Sequence, residues 1–174
     1  EEEEHTFESF EYGKRNTSLI EYLANVAHEN YSVTVETPTS EFSGTISSIG
    51  TDYFAISHVL APNNTLITNF PLSNNENLIF RIELKNINTK NKNVSILQKS
   101  FKALLDELSI SEAILKIEVQ NKKTIEGKIE IFYDFLKVSK NYQKIYKKES
   151  FIEKNSLLIS NKSIIAISYC ENTK

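Results

Sequence analysis

The chain uses one sequence pattern twice, and this internal duplication constrains its fold more than any other feature. A short amphipathic segment, followed by alternating apolar residues around one glycine, occurs near residues 17–88 and again near residues 99–169. The two core strings are SVTVETPTSEFSGTISSIGTDYFAIS, from Ser32 to Ser57, and LKIEVQNKKTIEGKIEIFYDFLKVS, from Leu115 to Ser139. A repeat of this kind indicates one structural unit used twice.

The two copies match residue by residue. Gly44 matches Gly127, and Asp52 matches Asp134. The apolar matches are Val33 with Ile117, Val35 with Val119, Phe42 with Ile125, Ile46 with Ile129, Phe54 with Leu136, and Ile56 with Val138. Upstream, helical spacing predicts two buried stripes, formed by Leu19, Tyr22, Leu23 and Val26 and by Phe101, Leu104, Leu105 and Leu108.

These matches predict a mainly β protein with short helices, built as two tandem five-stranded units, each preceded by an α-helix. Each copy is near the lower size limit for burying its own core, so we expect the copies to pack together or on a partner. The predicted parts are an acidic N-terminal tail (1–16), domain 1 (17–90), a linker (91–98), domain 2 (99–170) and a C-terminal tail (171–174).

Within copy 1, Thr17 or Ser18 is expected to cap a helix that ends near His28. The third strand is expected through Phe54 and Ile56, followed by a long polar connection from Leu60 to Asn77 and a closing strand from Leu78 to Asn88. In copy 2, the connection is expected from Lys140 to Asn155, with closure through Leu157, Ile159, Ile164, Ile165 and Ile167.

The paired glycines and aspartates have simple structural roles in this scheme. Gly44 and Gly127 lie inside strands, where glycine marks a bend or a close backbone approach. Asp52 and Asp134 each precede a strand, where a carboxylate accepts backbone N–H groups of a turn. We therefore assign the glycines to structural bends and the aspartates to turns rather than to an acidic catalytic pair.

A helix, a V-x-V strand, a glycine in the second strand, an aspartate before the third strand and an apolar closing strand together resemble the Sm-like fold. The resemblance covers both copies and implies small β-barrels that bind single-stranded RNA or assemble by pairing strands between subunits. Ser57 and Ser139 stand where the usual Sm pattern has a base-holding asparagine, and the expected arginine–glycine pair is absent from both copies. The chain is more similar to divergent bacterial Sm-like modules, such as those of ribosome-maturation and spore-coat proteins.

Composition argues against several function classes. Cys170 is the only cysteine, and His5, His28 and His58 are scattered, so we expect no metal site. No phosphate loop, nucleophile elbow or zinc-protease motif is present, and we expect neither an enzyme nor a cofactor. The single cysteine and the absence of a long apolar run favour a cytoplasmic protein without a membrane span, with a structural location at a spore or cell surface as the alternative.

Charge is divided unevenly along the chain. Residues 1–90 carry 5 Lys or Arg and 13 Asp or Glu, whereas residues 91–174 carry 15 and 10, giving net charges of −8 and +5. The strongest candidate binding segment lies in the basic half and combines lysines with tyrosines: Lys137, Lys140, Tyr142, Lys144, Tyr146, Lys147 and Lys148. Lysine can neutralise phosphates while tyrosine rings stack on unpaired bases.

Two functions follow from these patterns. The first is a non-enzymatic binding or assembly module that meets a protein partner, or further copies of itself, through edge strands and surface loops. The alternative is a regulator that binds single-stranded RNA through the basic second copy. The sequence indicates no small-molecule substrate.

Overall fold

The computed structural model describes residues 16–29, 31–72, 81–87, 94–120, 123–139 and 156–172. Strands dominate these residues, so the predicted mainly β class with short helices is confirmed. The helices are α1 (Leu19–Val26) and α2 (Phe101–Ile110), and a 3-10 turn spans Asn161–Ser163. The strands are β1 (Tyr31–Glu36), β2 (Glu41–Ile49), β3 (Tyr53–Ala61), β4 (Asn64–Pro71), β5 (Arg81–Asn86), β6 (Ser95–Ile96), β7 (Leu115–Val119), β8 (Thr124–Ile131), β9 (Phe135–Ser139), β10 (Ser156–Ser160) and β11 (Ile164–Asn172). Within the described ranges, no helix has the length and apolar character needed to cross a membrane.

Helix α1 begins at its predicted cap but buries a different stripe. The Ser18 hydroxyl accepts the N–H of Glu21 at 3.2 Å, and the helix ends at Val26, short of the predicted His28. Leu19 and Tyr22, predicted to be buried, are 41% and 51% exposed. Leu23 is buried as predicted, at 1% exposure, and it packs in a row with Ile20, Ala24 and Ala27, which has the same spacing one position along the helix. Both rows satisfy the helical period, and contact with the sheet selects one of them.

Helix α2 follows the prediction closely. The Ser100 hydroxyl caps it by accepting the N–H of Ala103 at 3.1 Å. The predicted stripe of Phe101, Leu104, Leu105 and Leu108 is buried, which is confirmed by exposures of 7% or less.

One continuous sheet connects the described strands in the order β10-β9-β8-β7-β11-β4-β3-β2-β1-β5, with β6 beside β2. The β2–β6 pair is parallel, and the pairs along the main path are antiparallel. We call α1 with β1–β5 the first half and α2 with β7–β11 the second half. The path is open, with β10 and β5 at its two ends.

The predicted long connection after the third strand is wrong. Strand β3 continues to Ala61, and a tight turn at Pro62 leads into β4, which pairs with β3 from Asn64 to Pro71. Pro62 lies in the turn and Pro71 is the last strand residue, two places where a missing N–H is tolerated. The two prolines therefore mark the ends of a strand rather than a loop.

The predicted closing residues of the second half lie on two strands. Leu157 and Ile159 belong to β10, which pairs with β9, whereas Ile164, Ile165 and Ile167 belong to β11. The predicted connection at 140–155 lies outside the described residues, as do residues 78–80 and 88 of the first closing strand.

The strand register also changes one part of the match between the copies. Val33 lies opposite Gly44, whereas Leu115, not Ile117, lies opposite Gly127. A shift of two residues preserves the alternation of side chains in a strand, so apolar spacing alone does not distinguish the two alignments.

Two apolar clusters form the core, and each takes residues from the other half. Tyr53, at the start of β3, packs in the cluster of the second half. Ile165 and Ala166, at a bulge in β11, pack in the cluster of the first half. Residues 95 and 96, in the segment expected to be a linker, pair with the end of β2. The two halves are thus joined through both cores.

Candidate assembly edges of the sheet

The central joint of the sheet is the pairing of β4 with β11. Six residues of β4 lie opposite six of β11, from Asn69 opposite Ile167 to Asn64 opposite Asn172. Inside the joint, the hydroxyls of Thr68 and Ser168 are 2.9 Å apart and both side chains are buried. The joint is a hydrogen-bonded contact between the fourth strand of the first half and the last strand of the second half.

The two halves share a strand order on either side of this joint. The first half runs β5-β1-β2-β3-β4, and the second runs β11-β7-β8-β9-β10. Matching turn bonds support the same correspondence, because the N–H of Leu72 donates to the Asp52 carbonyl at 2.9 Å and that of Asn161 donates to the Asp134 carbonyl at 3.0 Å. Strand β10 therefore occupies the place of β4, and β5 occupies the place of β11.

Strand β10 has an open side among the described strands. In the turn between β8 and β9, the N–H of Phe132 donates to the carbonyl of Phe135 at 3.0 Å. Bonded pairs recur at every second residue of an antiparallel ladder. That alternation directs the N–H groups of Ser156, Leu158 and Ser160 away from β9. Leu158 is 69% exposed, and β10 carries no charged residue, so little opposes the pairing of this edge with another strand.

Strand β5 is the other open edge within the described sheet. The bond from the Thr37 N–H to the Ser40 carbonyl, 2.9 Å, sets the alternation in β1, which directs the N–H groups of Ile82 and Leu84 away from it. Charged side chains alternate along β5, and Arg81 lies 3.1 Å from Glu36. Charges of this kind limit indiscriminate pairing at an edge.

The predicted binding segment is represented by one described residue. Lys137 lies half-buried on β9, opposite Leu158. The remaining members lie outside the described residues: Lys140, Tyr142, Lys144, Tyr146, Lys147 and Lys148. The structure thus places only the first lysine, next to the open edge strand.

Each predicted glycine lies against the backbone of a third strand. A Cβ on Gly44 would lie 2.2 Å from the carbonyl oxygen of Ser57, and one on Gly127 would lie 2.4 Å from that of Ser139. Both distances are far inside van der Waals contact. Each site therefore requires a residue without a side chain.

The two predicted turn aspartates differ in their side-chain contacts. The Asp52 carboxylate accepts the N–H of Phe101 at 2.7 Å and so holds the first residue of α2. The described contact of Asp134 is through its backbone carbonyl. The two carboxylates sit at turns of different halves, and neither belongs to a cluster of three or more metal-ligating groups, of which the described ranges contain none.

A buried carboxylate lies on β7. Glu118 is 4% exposed, and burial raises its pKa above the ordinary 4.5, while the Thr37 hydroxyl, the Thr39 backbone and the charge of Lys116 act in the opposite direction. Its Oε2 makes no hydrogen bond within the described part of the chain. Alternation in LKIEV predicts Glu118 on the solvent face with Lys116, so the sequence pattern carries no signal for this burial.

No protein-family model, curated protein or solved structure matched this chain. Function is therefore inferred from the open edge strands and the buried polar groups of the structure.

Proposed function

We propose that this chain is a non-enzymatic assembly protein made of two Sm-like units, and that it pairs with further copies of itself through its two open edge strands. The observation that carries the proposal is the β4–β11 joint. In this joint the fourth strand of the first half pairs with the last strand of the second half, and one strand of each kind, β10 and β5, lies at an open end of the described sheet.

The joint also supplies a register for the proposed contact. Asn69 lies three residues before Leu72, and Leu158 lies three before Asn161, so the matching turn bonds equate Asn69 with Leu158. The matched glycines Gly44 and Gly127 make Val35 structurally equivalent to Ile117. Val35 lies opposite Ile82, and Ile117 lies opposite Ile167. Since Asn69 faces Ile167, Leu158 of one copy is expected to face Ile82 of the next.

Backbone and charge both agree with this register. The N–H groups of Leu158 and Ile82 each point to the open side of their strands, as a new ladder requires. The contact also brings the basic half, net +5 for residues 91–174, against the acidic half, net −8 for residues 1–90. Opposite charge favours this head-to-tail orientation over pairing of like ends.

The test is the molar mass of the full chain by size-exclusion light scattering over a range of concentrations. We expect the wild type to form oligomers and Leu158→Pro to be monomeric, because proline removes the outward N–H. Leu158→Ala is the matched control, since it loses the same side chain but keeps the N–H. Ile82→Pro and Ile82→Ala form the same pair at the other edge.

Two outcomes would contradict the proposal. One is a wild type that stays monomeric at every concentration. The other is equal loss of assembly in the proline and alanine variants, which would assign the contact to side chains rather than to strand pairing. Circular dichroism of each variant checks that the halves remain folded.

The alternative function is binding of single-stranded RNA. It is favoured by the net charge of +5 on residues 91–174 and by the lysines and tyrosines of residues 137–148. Retention of a labelled single-stranded RNA should then fall steeply with salt. It should also be lost when Lys144, Lys147 and Lys148 are changed to Glu. Assembly through edge strands should survive that triple change.

A further inference from the structure

A cavity of about 400 Å³ lies between the two halves, away from both open edges. Residues of helix α2 and of strands β2, β3, β4, β6 and β11 line it. Sites for small ligands in proteins have volumes of roughly 300 to 1,000 Å³. The cavity therefore has the size of a small-molecule site.

Its inner wall carries neutral polar groups. Tyr53 and Asn69 are 1% and 2% exposed, and the Tyr169 side chain hydrogen bonds with that of Asn69. Burial raises the pKa of Tyr53 to about 12 and moves the pKa of Tyr169 above 10.0 as well, with Glu107 adding to both shifts. A phenol is protonated at neutral pH, so both tyrosines can donate hydrogen bonds.

The mouth of the cavity carries a paired charge. The Lys99 ammonium lies 2.5 Å from the Glu107 carboxylate, which neutralises it. A free phosphate or carboxylate ligand would bring a second negative charge close to the Glu107 carboxylate. The electrostatics of the cavity therefore favour an uncharged ligand.

The rest of the wall is apolar. Leu97, Leu104 and Leu108 line the cavity, and the two leucines of α2 are buried. A flat ring can lie against such a wall while its edge faces the phenols and the amide. A sugar presents hydroxyls around its whole ring and would leave several of them against the leucines.

We propose that this cavity binds a small, uncharged heteroaromatic molecule, with its ring face on the leucines of α2 and its polar edge toward Tyr53, Asn69 and Tyr169. The site is independent of the edge strands, so it does not rest on the assembly function proposed above.

Isothermal titration of the full chain tests the site with two neutral heteroaromatic probes, adenosine and nicotinamide, and with glucose and inorganic phosphate as contrasts. We expect at least one heteroaromatic probe to bind and neither contrast to do so. Tyr169→Phe keeps the ring and removes one hydroxyl, and should weaken binding about tenfold, the change expected from loss of about 1.4 kcal/mol.

A blocking variant separates this cavity from other surfaces. Ser95 lines the mouth, so Ser95→Trp should abolish binding by filling the cavity. Ile96→Trp is the matched control, because neighbouring residues of a strand point to opposite faces, and it should bind as the wild type does. Thermal unfolding confirms that both tryptophan variants are folded.

The proposal is overturned if neither heteroaromatic probe binds at millimolar concentration. Binding of glucose or phosphate in preference to them would overturn the assigned chemistry. Equal binding by wild type and Ser95→Trp would place the ligand outside this cavity.

Discussion

The Thr37 hydroxyl donates a hydrogen bond of 2.9 Å to Oε1 of Glu118, and both side chains are 4% exposed. Thr37 lies in the turn after β1, while Glu118 lies on β7, with four strands between β1 and β7 along the sheet. The sheet therefore curves enough for the first hairpin to touch the second half. This contact joins the halves at a further place, far along the sheet from the β4–β11 joint.

Replacing Glu118 by Gln should make the protein more stable at neutral pH. The pKa of Glu118 is raised from 4.5 by burial, so the folded state binds the proton more tightly than the unfolded state. The favourable contribution of the Glu118 side chain to folding stability is complete below pH 4.5. It is lost as the pH rises through the pKa that Glu118 has in the folded state. In urea unfolding at a series of pH values, the free energy of unfolding of Glu118→Gln should rise relative to that of the wild type above pH 4.5.

The exposed Glu126 on the neighbouring strand provides the control for that measurement. Glu126→Gln makes the same chemical change on an exposed side chain and gives the reference against which the Glu118→Gln difference is read. A Glu118→Gln variant that loses stability as the pH rises, relative to wild type, would show that the buried carboxylate is favourable when charged.

The Asp52 carboxylate should contribute to stability more than its counterpart Asp134. Asp52 accepts the Phe101 N–H at 2.7 Å and supplies a capping bond to α2 from the other half of the chain. Loss of such a cap costs about 0.5 to 2 kcal/mol. Asp52→Ala should therefore lower the free energy of unfolding by that amount, while Asp134→Ala should have a smaller effect because its described contact uses the backbone. Equal losses in the two variants, measured by urea unfolding, would contradict this assignment.

Some elements of the fold could be predicted from sequence because one physical rule determines them. Helix α2 has a single apolar row, and that row is buried in the structure as predicted. Helix α1 has two apolar rows with the same spacing, and only contact with the sheet decides between them. The prediction of the buried row of α1 failed because tertiary contacts, and not local helix propensity, determine which row is buried.

Other elements depend on strand pairings that the alternation of apolar and polar residues in the sequence does not reveal. Strand β4 contains Thr65, Thr68 and Asn69, so its sequence predicts a polar connection. Thr68 and Asn69 are nevertheless buried where β4 pairs with β11. Glu118 is hidden from sequence for the same reason, since a hairpin distant along the chain covers it. The polar residues that line the joint and the cavity were therefore the ones that sequence patterns missed.

An added methyl group at Gly127 should destabilise the protein strongly. A Cβ there would lie 2.4 Å from the Ser139 carbonyl oxygen, which is backbone and cannot rotate aside. Forced overpacking costs about 1 to 3 kcal/mol, so Gly127→Ala should lower the free energy of unfolding by at least this amount. Glu126→Ala, on the adjacent exposed residue, should change it little. A thermal midpoint for Gly127→Ala equal to that of Glu126→Ala would show that the backbones can separate at this position without loss.

The buried hydroxyl pair in the β4–β11 joint should behave as a coupled unit. Thr68 and Ser168 lie 2.9 Å apart with exposures of 2% and 6%, so removing one hydroxyl leaves the other buried without this partner. Each of Thr68→Val and Ser168→Ala should cost about 1 to 3 kcal/mol. The double variant should cost less than the sum of the two, because both polar groups are then absent. Urea unfolding of the wild type, the two single variants and the double variant measures the coupling energy. Additive losses would mean that the two hydroxyls are stabilised separately and that the joint depends on its backbone bonds and apolar neighbours alone.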